Sequence, residues 1–514
     1  MIPVVTVSQM RVLDEGAIGR DLTKGYSYML RAGTGVFDAV KKMLPDRDGE
    51  IAVVCGKGNN GGDGYVAARL LLEAGYRVMC FALGPAEELR GEARLAFDEY
   101  AGRKGNYLVL DDAGDLAGLS CCRIIVDAML GTGAKNDPHG LCALAIEAVN
   151  ESRVPVIAVD TPSGLDTDTG IPGTPCIAAT VTVTMGFPKI GHYFYPGRGL
   201  TGKLVVQELG YPDELIESGK LSLFYPTRED LAALLPRRKP AGSKFDHGLA
   251  LLCAGSRSMA GSATLAATAA MRSGCGMTHL AAPESLIPTL AGKLTETVLH
   301  PIPETPAGTA ALAAIDILKE KAAGMQALCI GPGLSHEEET SALVREVIAN
   351  VTIPTVLDAD GLNAYKGRAG ELASHGGDLI ITPHAGEWQR LFGELPAEPA
   401  GRIVRLKEKA AELRLVVLLK GSPTVVAAPD GNAWILPFGN SCLAKAGSGD
   451  VLSGIIVSLC AQGAPVASAA ILGAWLLGET GVIASEKLGE YSVVAGDIVQ
   501  MLHYAIDRLA GREY

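Results

Sequence analysis

The chain has 514 residues, 57 acidic against 45 basic, for a formal net charge of −12 and a pI near 5.3. That length exceeds one hydrophobic core and points to about two to four domains, two where they are large α/β units. The acidic balance speaks against a nucleic-acid partner, which needs a basic face toward phosphate, and in favour of small ligands.

Hydrophobic residues make up 48% of the chain, as in a folded globular protein, and 63 glycines foreshadow tight turns and loops that hug a ligand. Eleven cysteines, an odd number without a Cys-x-x-Cys pair, fit reduced thiols in a cytoplasmic protein better than disulfides or a zinc site. The opening Met1-Ile2-Pro3-Val4-Val5-Thr6 lacks the pattern of a secretory signal. The apolar stretch from Ile455 to Leu477 is broken by Gln462, Gly463 and Pro465, so two buried helices are expected there and no membrane span.

Residues 1 to about 50 carry helical spacing. Ile51 to Cys55 reads as a buried strand, followed by Gly56-Lys57-Gly58-Asn59-Asn60-Gly61-Gly62-Asp63-Gly64 and a helix over Tyr65 to Ala74. Strand, glycine turn and helix form an arrangement suited to phosphate. The turn contains GxGxxG at Gly56, Gly58 and Gly61, yet the second strand, Arg77 to Leu83, runs into Gly84-Pro85 where a dinucleotide fold would present an acid to ribose. Its polarity suggests a site using side-chain amides and a carboxylate; the bland alternative is a turn of residues that tolerate left-handed backbone.

Strands predicted at Arg123 to Asp127 and Val154 to Asp160 each end in an aspartate entering a polar loop, Asp127 to Asp137 and Asp160 to Asp166. In a parallel sheet these ends share an edge with the first glycine loop. Asn60, Asp127 and Ser163 can then offer hard oxygens to one cation, with Asp160 beside it. Thr184 to Gly191 closes a β-rich run and supplies a cation in Lys189. Singly, strand-end aspartates are more often turn caps than catalysts.

Through Cys55 to Gly64, Asp127 to Asp137, Asp160 to Asp166 and Thr184 to Gly191, the N-terminal half resembles the YjeF N-terminal family, the NAD(P)H-hydrate epimerases. The resemblance implies a three-layer Rossmann-like α/β/α domain at 1–218, with K+ held by Asn60, Asp127 and Ser163. It also implies that the hydrated nicotinamide nucleotide lies on Asn59, Asn60, Gly61, Gly62 and Asp63, on Gly131, Thr132, Gly133, Ala134, Lys135, Asn136 and Asp137, and on Asp160. Inverting a hydrated ring carbon needs a group that takes and returns a proton; Asp160 is the first candidate and Lys189 the second.

From Tyr211 to Pro240 the sheet pattern lapses into prolines and the basic run Arg237-Arg238-Lys239, which marks a domain boundary. A second α/β series follows. Its strands are predicted at Leu249 to Cys253, Met277 to Ala281, Ala327 to Ile330, Thr355 to Asp358, Leu379 to Thr382 and Leu415 to Lys420, with a small-residue helix after Gly261 suited to close packing. The loops after them are Gly331-Pro332-Gly333-Leu334, Asp358 to Asn363, Thr382 to Glu387 and Lys420 to Thr424. Alone, His384 reads as a helix-entry hydrogen bonder and Lys420 as a solvated strand end.

The second half is organised around Gly447-Ser448-Gly449-Asp450, with the helix predicted from Val451. Glycines let the backbone approach a ligand, and the helix mouth attracts phosphate. Asp450 is then a cap or a base.

Together Met259 to Gly261, Gly331 to Gly333, Asp358 to Asn363, Pro383 to Glu387, Lys420-Gly421 and Gly447 to Asp450 resemble the ribokinase-like superfamily, and within it the NAD(P)H-hydrate dehydratases. The resemblance implies a ribokinase-like α/β domain at 225–510 that uses ADP or ATP with Mg2+. Lys420, Gly421, Ser422, Pro423, Thr424, Gly447, Ser448 and Gly449 would hold the nucleotide. Gly333, His384 and Asp450 would hold the substrate, with Asp450 as the base, and Glu387 would orient Mg2+ through water. Ser243-Lys244-Phe245 departs from the family's His-Lys-Gly and is left out of the site. The expectation is a cytoplasmic, homo-oligomeric, bifunctional enzyme acting on hydrated NADH and NADPH, with no nucleic-acid or membrane partner. The alternative is a vitamin or sugar kinase fused to a non-catalytic Rossmann-like ligand-binding domain.

Overall fold

A computed structural model describes residues 1–19, 21–133 and 136–511. The chain divides into two compact units: Ile2–Leu223 with Glu398–Ala400, and Met1 with Phe224–Ala397 and the chain from Gly401 onward.

The N-terminal unit is built on seven parallel strands: β1 (Glu50–Cys55), β2 (Arg77–Ala82), β3 (Asn106–Val109), β4 (Ile124–Ala128), β5 (Val156–Val159), β6 (Val181–Met185) and β7 (Lys203–Gln207), in spatial order β3-β2-β1-β4-β5-β6-β7. Alternate residues face opposite layers. Ile51, Val53 and Cys55 enter one core, and Ala52 and Val54 enter the other. Strands buried on both faces must be apolar throughout, which is why β1 and β4 are legible as continuous apolar runs. The first layer comprises α1 (Leu22–Met43), α2 (Asn59–Glu73) and α3 (Gly91–Gly102); α4 (Gly140–Ser152) belongs to the second. β3 and β7 went unpredicted because each is a short, half-exposed edge strand.

The glycine turn is shorter than predicted. α2 begins at Asn59, so Asn-Asn-Gly-Gly-Asp-Gly is its first helical turns and not a loop. The glycines serve close packing there. A Cβ on Gly61 would lie 2.0 Å from the Gly56 carbonyl oxygen, and one on Gly64 would lie 2.5 Å from the Ala128 Cβ.

The C-terminal unit carries β8 (Leu249–Cys253), β9 (Met277–Pro283), β10 (Val298–Ile302), β11 (Ala327–Ile330), β12 (Thr355–Leu357), β13 (Leu379–Ile381), β14 (Val416–Leu419), β15 (Thr424–Ala427) and β16 (Ala433–Leu436), in spatial order β16-β15-β14-β13-β12-β11-β8-β9-β10. All pairs from β14 to β10 are parallel. The unpredicted β15 and β16 run antiparallel, so Thr424 opens a strand and is not merely a loop residue. One face is covered by α5 (Ala260–Arg272), α7 (Ser448–Ala461), α8 (Val466–Leu488) and α9 (Ala495–Leu509); a further helix, α6 (Ala385–Phe392), leads out of β13. Both halves of the 455–477 stretch are helical as expected, and α8, long and apolar enough to cross a membrane, is mostly buried in the core.

α5 and α7 meet at very short range because small residues line the contact. A Cβ on Gly454 would lie 2.2 Å from the Ala266 carbonyl oxygen and 2.9 Å from the Ala269 Cβ. Neither neighbour is a flexible side-chain end, so overpacking strain is unavoidable. Gly454→Ala is expected to destabilise this unit by about 1–3 kcal/mol. The check is calorimetry, in which the transition of this unit moves down while that of the N-terminal unit stays.

Candidate active sites

In each sheet the strand order reverses at one point, between β1 and β4 in the first and between β8 and β11 in the second. Loops diverge there and leave a crevice at the carboxyl ends of the strands. The chemistry-bearing residues lie along the carboxyl edge of each sheet, from these points outward.

In the N-terminal unit a cavity of about 1090 Å³ is lined by Asn59, Asn60, Asp63, Gly131, Thr132, Gly133, Asp160 and Lys189 among others. Gly61 and Gly62 are buried inside α2 and act as packing positions. Asn136 and Asp137 lie on the loop before α4, and Ala134 and Lys135 lie outside the described residues.

Asp160 ends β5 in left-handed backbone, φ 64°, an uncommon state for a residue with a Cβ and one that clusters at functional sites. Its carboxylate accepts hydrogen bonds from Met185 N at 3.0 Å, Thr184 Oγ1 at 3.2 Å and Lys189 Nζ at 2.6 Å. The Lys189 side chain is 1% exposed. Burial alone would raise the Asp160 pKa, but the charge and hydrogen bond of Lys189 outweigh it, and the pKa falls below 3.8. Asp63 has no such partner. Burial first, then the charges of Asp160 and Asp14, push it well above the usual range. One cavity thus holds an ionised carboxylate beside a carboxyl biased toward its acid form, the separation on which acid–base division of labour rests.

Three lining or supporting residues were not anticipated. Asp14 accepts a hydrogen bond from the Tyr211 hydroxyl at 2.5 Å, and burial raises its pKa despite that bond. His192 is buried and lowered to about 3, by burial and by the Lys189 charge. Asp14 and Tyr211 sit in segments without a local motif, so no signal marked them; His192 directly follows the Thr184 to Gly191 stretch.

Asp127 is fully buried at the end of β4. It accepts hydrogen bonds from Ser163 Oγ at 2.6 Å, Ser163 N at 2.8 Å and Met129 N at 3.2 Å. Burial raises it to about 6, with the Ser163 bonds pulling it back. Leu130 N donates to Ser163 Oγ at 2.9 Å, and the adjoining Gly131 packs against the Asn60 side chain, so the three hard-oxygen residues are brought to one place. The Asn60 Nδ2 atom is buried without a hydrogen-bond partner. The oxygens of the Asp127 carboxyl, the Ser163 hydroxyl and the Asn60 side-chain carbonyl are the donor type that a hard cation such as K+ takes.

In the C-terminal unit Asp358, at the end of β12, is the hub. Its Oδ1 accepts from Thr382 Oγ1 at 2.7 Å and Lys420 Nζ at 2.8 Å, and its Oδ2 accepts from Ser453 Oγ at 2.7 Å. Burial would raise its pKa, but Lys420 and the two hydroxyls lower it. Lys420 also lies 3.5 Å from Glu387 Oε2. Burial works against its charge, and the two carboxylates overcome that and raise its pKa. It is therefore a partly buried ion-pair member and not a solvated strand end. A Cβ on Gly449 would lie 3.5 Å from Lys420 Nζ, so the lysine stands at the mouth of α7.

That helix starts at Ser448, three residues before the prediction, because Gly447 takes the left-handed N-cap with φ 93°. Asp450 falls in the first turn and makes no capping bond. Burial, then the Asp358 charge, raise it to about 6, against a hydrogen bond from Ser262 and the pull of Lys420. His384 is the N-cap of α6, its Nδ1 accepting from Gly386 N at 3.0 Å and Glu387 N at 3.3 Å. Glu387 Oε2 answers by accepting from His384 N at 2.8 Å, a reciprocal capping box. The modest reading of His384 thus holds for Nδ1. Its Nε2 lies 3.5 Å from Glu387 Oε1 on a half-exposed ring. Gly333 has φ 66° and faces Ser262 and Met259, which ties the 259–261 stretch to the Asp450 surroundings. Among the described residues no cluster of three or more His, Cys, Asp or Glu residues forms a metal cage.

Comparison with known proteins agrees with this division. Residues 25–191 match the family model for the YjeF-related protein N-terminus, and residues 250–503 match the NAD(P)H-hydrate dehydratase model. A bifunctional NAD(P)H-hydrate repair enzyme of Moorella thermoacetica is 40% identical over 513 residues, covering 98% of this chain and 97% of that one. The enzyme of the same name from Escherichia coli is 32% identical, covering 94% and 90%. Among solved structures, an ADP/ATP-dependent NAD(P)H-hydrate dehydratase of Bacillus subtilis co-crystallised with ATP and Mg2+ is 33% identical. It covers 55% of this chain and 98% of that one, with a TM-score of 0.47. The kinase alternative finds no support in the curated relatives named here, and the chain belongs to the family of bifunctional NAD(P)H-hydrate repair enzymes, which epimerise hydrated NADH and NADPH and dehydrate one epimer back to the reduced cofactor.

Proposed function

We propose that residues 1–218 carry the epimerase and 225–510 the dehydratase, and that each works at the crevice described above. The observation that carries the dehydratase assignment is the fixed Lys420 ammonium beside Gly449, with Asp450 one residue further in the same helical turn.

Hydroxide is a poor leaving group. Dehydration therefore begins when the ring hydroxyl attacks the terminal phosphorus of ADP or ATP and displaces AMP or ADP. Asp450 takes the hydroxyl proton as the new P–O bond forms. The ring nitrogen lone pair then expels inorganic phosphate, and loss of a proton from the adjacent carbon restores the dihydropyridine. Lys420 and the backbone N–H groups of Gly447, Ser448 and Gly449 steady the charge on the phosphoryl oxygens, the dominant effect in this class of reaction. Gly421, Ser422, Pro423 and Thr424, between β14 and β15, embrace the rest of the nucleotide, and Gly333 and His384 seat the substrate ring. Mg2+ supplies charge neutralisation on the phosphates; as a cation that keeps its waters, it suits the water-mediated contact assigned to Glu387.

In the epimerase, Asp160 takes the ring-hydroxyl proton and passes it to the ring nitrogen as the carbon–nitrogen bond opens to an aldehyde, the reverse steps close the ring on the aldehyde's other face, and Lys189 keeps Asp160 ionised. Asn59, Asn60, Asp63, Gly131, Thr132, Gly133 and Asp160 line the substrate's bed, and K+ on Asn60, Asp127 and Ser163 would complete the charge balance of the buried carboxyl. The same reading places the enzyme in the cytoplasm as a homo-oligomer, a setting that fits its free cysteines.

Asp450→Asn is expected to reduce dehydration by about 10²-fold or more, the effect of losing a positioned base, and to spare epimerisation. Equal loss of both activities contradicts the assignment. Asp160→Asn is expected to do the reverse, which epimer-resolved chromatography of hydrated NADH reads directly. Since Asp450 titrates near 6, the dehydration rate falls as pH drops through that value. The folded pKa lies above the usual 3.8, so the native state binds the extra proton between 3.8 and about 6, and its stability declines as pH rises through that window. At pH 7 the buried charge is therefore a cost, and Asp450→Asn should unfold at a higher temperature than the parent enzyme.

A further inference from the structure

Outside both active sites, the C-terminal unit holds a second cavity, of about 560 Å³, whose lining runs against the charge of the protein. Four cationic side chains, Arg345, Lys366, Arg368 and Arg390, face two carboxylates, Glu338 and Asp360, in a chain whose net charge is −12.

Both carboxylates are already engaged. Arg345 donates to Glu338 Oε1 at 2.7 Å and to the Ala364 carbonyl at 2.9 Å. Asp360 Oδ2 accepts from Ser335 N at 2.8 Å, and its Oδ1 lies 3.3 Å from Asn363 Nδ2. Among the described residues Arg390 uses only Nε, toward Asn363 Oδ1 at 3.0 Å, so its two terminal nitrogens are left for another acceptor. Lys366 has no carboxylate partner among the described residues. Arg368 is paired with Glu371 at 3.0 Å, so the donors left over are the Arg390 guanidinium and the Lys366 ammonium, the chemistry that recognises phosphate oxygens.

The position is equally informative. Asp360 follows Asp358 through Ala359, held at φ 50°, and Ser335 follows Gly333 at φ 75°. Such strain is retained where function requires it. The Ser335–Asp360 bond links the Gly333 loop to the cavity lining, and Arg390 lies on α6, the helix that His384 caps. Asp360 is also near enough to Asp450 for its charge to register there. The donor nucleotide has its own cradle at Lys420 and Gly449, whereas the dinucleotide substrate carries a pyrophosphate one ribose away from its reacting ring.

We propose that this cavity is the subsite for the pyrophosphate of the hydrated dinucleotide, gripped by Lys366 and Arg390. The inference rests on the ring site proposed above. It makes the dinucleotide's phosphates, and not only its nicotinamide, a source of dehydratase specificity.

The test is steady-state kinetics of Lys366→Gln, Arg390→Gln and the double variant, with hydrated NADH and ADP varied separately. Both side chains are exposed, and Lys366→Arg serves as the conservative control. Each single variant is expected to raise KM for hydrated NADH about 10-fold, the loss of one charge-assisted contact, while KM for ADP moves by less than about twofold and the arginine control stays near the parent. An unmoved KM for hydrated NADH in a double variant of an otherwise active enzyme overturns the subsite alone. A rise in KM for ADP in its place assigns the cavity to the donor and equally overturns it. Failure of the ring site shows separately, as full dehydration by Asp450→Asn.

Discussion

The C-terminal site depends on one ion pair, the buried Asp358 with the partly buried Lys420. Withdrawing a carboxylate from water is costly unless hydrogen bonds compensate it, and here three donors meet Asp358. Asp358 takes Thr382, Ser453 and Lys420, and Lys420 reaches Glu387 as well. These partners come from β12, from the ends of β13 and β14, and from α6 and α7. The pair therefore fixes the relative position of three strand-end loops and the helix mouth, and it leaves Asp450 as the carboxyl without a compensating lysine of its own.

The N-terminal unit repeats this logic with different residues. Lys189 pairs with Asp160 and keeps it ionised, while Asp63 and Asp127, buried without a cationic partner, are raised. In both units a strand-end lysine settles one carboxylate, and burial sets a neighbouring carboxyl apart from it. Moving two pKa values in opposite directions is how one site holds both a proton acceptor and a proton donor near neutral pH. The parallel sheets supply the setting, because reversal of strand order opens a crevice where such groups converge without unravelling the core.

Much of this was legible in the sequence because strands buried on both faces must be apolar throughout and because strand-end loops carry the polar residues. Ile51 to Cys55, Ala327 to Ile330 and the aspartates at 127, 160 and 358 stand out for that reason. The helix starts did not. Asn59 to Gly64 and Ser448 to Asp450 look like loops since glycine is a poor helix former, yet Gly61, Gly64 and Gly454 are needed where a Cβ would strike a neighbouring backbone or side chain. Edge strands such as Asn106–Val109 and Val298–Ile302 escaped because half-exposure mixes their pattern. Asp14, Tyr211 and the cation-lined cavity at Lys366 and Arg390 were invisible for another reason: their partners lie far away in sequence, and only the fold assembles them.

The account turns on where the terminal phosphate of the donor lodges. A crystal structure of the Asp450→Asn enzyme trapped with ADP, Mg2+ and hydrated NADH measures this directly. The expected result is a β-phosphate on Gly449 N–H and Lys420 Nζ, with the ring hydroxyl within hydrogen-bond reach of the side chain at position 450. A terminal phosphate bound elsewhere, with the hydroxyl remote from position 450, contradicts it.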